Sequence, residues 1–424
     1  MRFLPLMTLV ALGAAGGSLF HGSSQAADAP AQAVHPKIRA ITAFIDIDTK
    51  NYPSQLEAAV AFLSRTREAY RASGFTVETI RIATQPFPSY TRSLNHDAAI
   101  ALLQDIDASS RKLGFTPSIG PAMLHDNDET SAVDLLADIL AAPSRLNASL
   151  IIADDEGIHW KAVRQAARLI KTVSERSAHG QGNLNFAAIA MLKPYGPFFP
   201  GAYHLGGARS FAVGLESADV VADVFAHEHD PNTAEAALLA ALTGNLRVVE
   251  SVATKAAADS GWIYAGIDPT PAPMGEVSIG RAIESFGGGP FGSSGTMTAA
   301  AIITRAVRAV PVKRVGYSGL MVPVLEDAIL AKRWGQRTYS LDSLLAYSAV
   351  CAGGLDTVPL PGDVSMEYLA RILGDVATLA HKWQKPLAAR LVPIPGKKAG
   401  DETDLSDPRM ANTILQPLPG VASR

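Results

Sequence analysis

The sequence predicts an α/β fold built on a mainly parallel sheet with helices on both faces. Three observations predict it. Short β-branched apolar runs alternate with helical stretches from residue 38 to residue 392. Such alternation gives parallel strands joined by crossover helices. At least eight strand–helix units occur in one chain, which favours a closed or nearly closed barrel, an open doubly wound sheet being the alternative with the same pattern. Finally, 48% of the 424 residues are hydrophobic and only 18% are charged, enough apolar material for a large core.

The elements follow in order. Residues 38–47 form an apolar run ending at Asp46 and Asp48, a buried strand opening into a polar loop. Helical spacing over 56–72 places Leu56, Val60, Leu63 and Arg67 on successive turns, with Gly74 suited to the position after the helix. Alternation over 75–82 predicts a second strand. Further strands are expected at 149–153, 184–190, 211–215, 262–267, 354–358 and 388–392. Between them helices are expected at 98–113, 133–142, 161–177, 218–226, 233–258, 297–309, 341–350 and 366–381. Polar groups gather at the C-terminal ends of these strands: Asp46, Asp154, Lys193, Tyr195, Glu216 and Asp268. In parallel α/β folds that end forms the binding face.

Before the first strand, Met1-Arg2 leads into an apolar stretch over 3–15 and a small-residue segment over 22–27. This reads as a secretory signal peptide cleaved between Ala26 and Ala27. The division expected is therefore signal peptide 1–26, mobile leader 27–36, a single large α/β barrel domain 37–415 and a C-terminal tail 416–424. The expected location is periplasmic or secreted, with no stable membrane anchor after processing. With 37 Lys+Arg against 40 Asp+Glu and no basic run, nucleic acid is not an expected partner. Cys351 is the only cysteine, so no intramolecular disulfide can form.

Several segments invite a chemical reading. The glycine-rich run from Gly287 through Gly292 and Gly295 to Thr296 precedes a helix and offers backbone N–H groups to an anion, or serves as a packing turn with Thr296 as helix cap. It matches neither a P-loop nor a dinucleotide fingerprint. Asp356 follows a glycine pair inside an apolar strand. An unpaired carboxylate there is costly, so it should meet a ligand, a cation or backbone donors. Cys351 sits at a helix C-terminus, the wrong end to stabilise a thiolate, and is expected to pack. His227-Glu228-His229-Asp230 runs into a turn, and His125-Asp126-Asn127-Asp128-Glu129 lacks the glycine and distant glutamate of a calcium loop. No metal site is assigned, and no particular cofactor is indicated. Glu326-Asp327, being adjacent, do not form a dyad by spacing.

Longer motifs carry a resemblance. Lys193-Pro194-Tyr195, Pro197-Phe198-Phe199-Pro200, Tyr203-His204, Gly214-Leu215-Glu216-Ser217, the run Gly316-Tyr317-Ser318-Gly319-Leu320-Met321-Val322-Pro323, Gly354-Leu355-Asp356-Thr357-Val358-Pro359 and Ala389-Arg390-Leu391-Val392-Pro393 together resemble the family known as domain of unknown function 711, over roughly residues 38–415. That resemblance implies a large barrel of about ten strands like that of pyruvate formate-lyase, but no reaction. A glycyl radical is not expected, since Arg314-Val315-Gly316-Tyr317 has neither the spacing nor the order of the radical loop relative to Cys351. The expectation is an enzyme acting on a small polar carboxylate or carbonyl metabolite, a non-catalytic anion-binding protein being the alternative. His204, Glu216 and Asp356 are the catalytic candidates. Lys193, Tyr195, Tyr203, Asp268, Gly292, Thr296, Tyr317, Ser318 and Arg390 are the candidates to bind substrate. The partners expected are a small molecule and, as an open alternative, further copies of the chain in a homo-oligomer.

Overall fold

The computed structural model describes residues 35–420. The signal peptide, all but the last two residues of the leader and the end of the tail lie outside them. The described strands are β1 (Lys37–Ile45), β2 (Val77–Thr84), β3 (Thr116–Pro121), β4 (Asn147–Asp154), β5 (Gly157–Ile158), β6 (Phe186–Ala190), β7 (Ser210–Glu216), β8 (Ile263–Asp268), β9 (Gly354–Pro361) and β10 (Leu387–Ile394). The helices are α1 (Tyr52–Ala72), α2 (Pro88–Thr91), α3 (His96–Leu113), α4 (Ser131–Ala141), α5 (Trp160–Arg176), α6 (Ala218–His227), α7 (Pro231–Ser260), α8 (Ile279–Gly287), α9 (Thr296–Ala309), α10 (Ala328–Gly335), α11 (Leu341–Ser348) and α12 (Met366–Trp383).

Local chemistry starts and stops these elements. The Asn95 side chain accepts the Ala98 N–H at the start of α3, and Gly114 ends it in the left-handed conformation. Asp230 caps α7 with Pro231 in the first turn, so the acid–proline pair read as a turn is a helix start. Two strands escaped the pattern: the two-residue β5, and β3, which carries Pro117, Gly120 and Pro121, residues that weaken a ladder, and whose pairing to β4 shifts register between Ser118 and Pro121.

All ten strands join one sheet in the order β8-β7-β1-β2-β3-β4-β6-β10-β9, with β5 attached to β4. Strands β1, β2, β3, β4 and β6 run parallel. The pairs β7–β8 and β9–β10 are parallel within themselves but antiparallel to that block, through β1–β7 and β6–β10. This corrects the single binding face expected above. Glu216 and Asp268 end strands that run the other way, so they lie beside the start of β1, where Glu216 pairs with Lys37. Asp46, Asp154 and Lys193 lie at the opposite rim.

Between the edge strands β8 and β9 no regular strand completes the ladder. An irregular segment, residues 313–324, bridges them: the Val315 N–H donates to the Ile267 carbonyl at 2.9 Å, and the Val324 N–H donates to the Asp356 carbonyl at 3.0 Å. The sheet is strongly curled. Strands β1 and β10 are five places apart, about 24 Å in a flat sheet, yet Arg39 of β1 and Arg390 of β10 both reach Glu326.

The inner side of the curl is filled by the β6–β7 connection, whose residues 192–204 fold inward as a finger. The inward hydroxyls of Thr42 and Ser118 donate to the Pro197 and Ala202 carbonyls, each at 2.9 Å. Phe198 packs with Ile151, Ile189 and Tyr317, and Phe199 against Phe44 and Ala83. Gly214 makes room, since a Cβ there would stand 3.2 Å from the Phe198 ring. Replacing Ser118 by Ala strands a buried carbonyl, and a loss of about 1–3 kcal/mol in urea unfolding is expected. Thr42→Val is expected to do the same, whereas exposed Ser54→Ala should change stability by less than about 0.5 kcal/mol.

Candidate functional site

A cavity of about 680 Å³ opens inside the curled sheet, over the first halves of β1 to β6. Strands β1, β2, β3, β4, β6, β9 and β10 all contribute to its lining, as do the finger through Phe198 and Phe199 and the bridging segment through Tyr317 and Met321. Five arginines face it, Arg39, Arg81, Arg145, Arg390 and Arg409, against three carboxylates, Glu326, Asp356 and Asp407. Arg409 is exposed and paired with Asp407, and Arg39 is paired with Glu216, so the excess of cations in the lining comes down to Arg81 and to Arg145 at the mouth.

Most of these charges are engaged. Arg390 donates from Nε to Asp356 at 2.7 Å and from Nη2 to Glu326 at 2.6 Å. Arg39 donates to Glu216 at 2.8 Å and lies 3.5 Å from Glu326. Burial alone raises Glu326, but Arg390 and Arg39 outweigh it and hold its carboxyl below the ordinary range. Asp356 goes the other way: burial, helped by the charge of Glu326, raises it despite Arg390. Burial disfavours the Arg390 cation, yet Asp356 and Glu326 raise its affinity for the proton above that of free arginine.

Arg81 differs. Its Nε donates to Thr79 Oγ1 at 3.1 Å and its guanidinium lies 4.9 Å over the Phe199 ring. No carboxylate among the described residues lies within ion-pair distance of it. Burial, then the charges of Arg39, Arg409 and Arg390, push it down to about 9. It remains a cation at neutral pH, half-buried in the cavity wall and without a protein anion. Arg145, at the mouth, likewise has no side-chain partner among the described residues. In the same cavity the Tyr317 hydroxyl, on a residue only 5% exposed, has no hydrogen-bond partner among the described residues. Burial, with the charge of Asp356, holds that hydroxyl protonated.

Asp268 positions Tyr317. It accepts the backbone N–H of Tyr317 at 2.7 Å and of Ser318 at 3.0 Å, and it also binds the Thr270 hydroxyl. Burial pushes it up to about 6 against these donors. Gly316 starts this turn at φ +71°, and a Cβ there would fall 2.2 Å from the Asp268 carboxylate.

Of the residues singled out in the sequence, the cavity therefore gathers Asp356, Arg390 and Tyr317, with Asp268 and Ser318 supporting the last. Glu216 stands behind Arg39. His204 is at the opposite rim and both its nitrogens are satisfied, Nε2 by the Ile45 carbonyl at 2.9 Å and Nδ1 by the Gly206 N–H at 3.1 Å; burial lowers its pKa. Tyr195 packs on Phe44 and His204, and Tyr203 donates to the Leu192 carbonyl inside the finger. Lys193 is exposed and paired with Asp155. Gly292 and Thr296 close a turn on each other, the Thr296 hydroxyl accepting the Gly292 N–H, and line no part of the cavity. The Cys351 thiol is buried and pushed up by burial, which suits packing. Sequence reading passed over Arg39, Arg81 and Arg145. The signal was present for two of them: an arginine between isoleucine or alanine neighbours in a buried strand, as in Ile38-Arg39-Ala40 and Ile80-Arg81-Ile82, faces inward or pairs.

The family model described as Uncharacterised ACR (DUF711) matches residues 31–406. The chain belongs to this family. Among similar proteins, the UPF0210 protein PAE3581 of Pyrobaculum aerophilum is 32% identical over 348 residues, 78% of this chain and 77% of that protein. The UPF0210 protein MK1214 of Methanopyrus kandleri is 28% identical over 398 residues, 87% and 88% of the two chains. A UPF0210 protein of Oenococcus oeni is 27% identical over 372 residues, 82% and 81%. The match to this DUF711 chain spans both strand blocks, the finger and the bridging segment.

Arg390→Met leaves Asp356 and Glu326 buried without their shared cation, and a loss of about 3–5 kcal/mol at about pH 7 is expected. Both carboxyls then bind protons more tightly when folded than when unfolded, so stability of the variant rises relative to wild type as pH falls. Unfolding curves at about pH 7 and about pH 5 should show the gap narrowing.

Proposed function

We propose that the protein is an enzyme that binds a small carboxylate metabolite in the cavity and moves a proton on it. The observation that carries this reading is Arg81, a half-buried cation that faces the cavity and has no protein anion within ion-pair distance. Such a group is open to a ligand carboxylate, which a guanidinium grips through two parallel hydrogen bonds. Arg145 at the mouth attracts the same charge.

The neighbouring groups supply the chemistry. The Tyr317 hydroxyl, held by the Asp268 turn, donates to a carbonyl oxygen on the substrate, where charge grows in the transition state. Asp356, raised from its ordinary range by burial, is the group to take or return the proton, with Arg390 fixing its orientation. The finger aromatics Phe198 and Phe199 exclude water. A specific observation favours the non-catalytic alternative: both cavity acids, Asp356 and Glu326, are already bonded to Arg390, as a binding protein without turnover would have them. We also propose that the protein works after export, on the strength of the charged, apolar and small-residue segments of residues 1–26; material from the cell envelope should then begin at Ala27.

The test is a thermal-shift and turnover screen with small mono- and dicarboxylates. Wild type should be stabilised by at least one of them and should convert it. Arg81→Met should lose that stabilisation yet be at least as stable without ligand, because a half-buried charge with no protein anion is removed. Tyr317→Phe should keep binding and lose about 10²–10³ in kcat. Saturable binding without conversion selects the binding-protein reading, and no stabilisation by any carboxylate contradicts both.

A further inference from the structure

At the opposite rim from the cavity, three side chains from separate segments converge: His125 from the loop after β3, Asp154 at the end of β4, and His159 just before α5. Their ligand atoms lie within 4.8 Å of one another. His159 is buried, and its Nδ1 lies 3.3 Å from the Ile151 carbonyl. With Nδ1 turned to that carbonyl, Nε2 is the nitrogen that faces the cluster. That nitrogen points at Asp154 Oδ1 at 3.2 Å, an atom with lone pairs of its own. An imidazole nitrogen turned to a carboxylate is bridged either by a proton or by a metal ion. His125 Nδ1 stands 3.8 Å from the other carboxylate oxygen, Oδ2.

We propose that His125, Asp154 and His159 form a binding site for a divalent transition-metal ion of the zinc class. The ligand types suit such an ion: two imidazoles and one carboxylate, with ligand bonds of about 2.0–2.2 Å that place neighbouring donors about 3.3 Å apart. The separations of 3.2 and 3.8 Å are near that, and His125 is half-exposed and able to close the remainder. The Ile151 carbonyl orients the His159 ring, as an outer partner of a metal-bound histidine does. The loop carrying His125 is clamped independently of any ion. Asp128 accepts the N–H groups of Leu124 and His125, and Asp126 accepts those of Lys161 and Ala162 at the start of α5, beside His159. The nearby cations are occupied elsewhere, Lys161 on the Asp128 carbonyl and Lys193 on Asp155. Three protein ligands with an exposed side leave a fourth position for water or a small ligand.

The experiment uses untagged full-chain protein stripped with a chelator and titrated calorimetrically with zinc, then with cobalt for its visible absorption. Wild type should take up one ion, show the absorption of nitrogen- and oxygen-ligated cobalt and gain thermal stability in zinc. His125→Ala, an exposed position that should leave folding intact, should weaken binding by at least about a hundredfold and lose the cobalt spectrum; Asp154→Asn should do likewise. His227→Ala is the control and should bind as wild type, since that ring is occupied by the Asp223 carbonyl. No uptake by wild type, or uptake unchanged in both His125→Ala and Asp154→Asn, overturns the proposal.

Discussion

The ion-pair chain through Glu326 is the interaction on which the rest of this structure depends. Arg390 of β10 and Arg39 of β1 converge on that carboxylate from strands far apart in the sheet order, while Asp356 of β9 and Glu216 of β7 take their remaining donors. Burying so many charges gains little net stability over apolar packing of the same volume. What it does is fix geometry, because each charge is tolerable only where its partners sit. The curl of the sheet, the path of the bridging segment and the mouth of the cavity all follow from that requirement.

Within this frame the cavity has two kinds of polar group. Arg390, Arg39, Glu326 and Asp356 are mutually satisfied and set the walls. Arg81 and the Tyr317 hydroxyl are not satisfied, and both are fixed in place by their surroundings, Arg81 by Thr79 and the Phe199 ring, Tyr317 by the turn that Asp268 holds. A fold that keeps a half-buried cation without an anion and a bare hydroxyl in one cavity gives up stability there, the pattern expected of sites selected for binding or catalysis.

Much of the architecture was legible from residue pattern. Apolar β-branched runs and helical periods located most strands and helices, because both depend on burial of one face. The strand β3 was not legible, since its two prolines and a glycine read as a loop and its place is set by neighbours on both sides. Strand direction was not legible either: nothing local in Ser210–Glu216 says that it runs against Lys37–Ile45. That single unknown put Glu216 and Asp268 on the wrong rim. Asp356 was found because a carboxylate in an apolar strand must have a partner. The same argument applied to Arg39 and Arg81 would have found them too. His204, singled out with the Tyr203-His204 motif, is not a free base, because the Ile45 carbonyl and the Gly206 N–H use both its nitrogens.

The most direct test of the account is a crystal structure soaked in bromide, read by anomalous scattering. Bromide is a small anion that competes for any cation lacking a partner. The account predicts a strong peak against the Arg81 guanidinium, within the cavity, and none at Arg390, whose donors are taken. A cavity without bromide at Arg81, or an Arg81 side chain paired with a protein carboxylate, would contradict it.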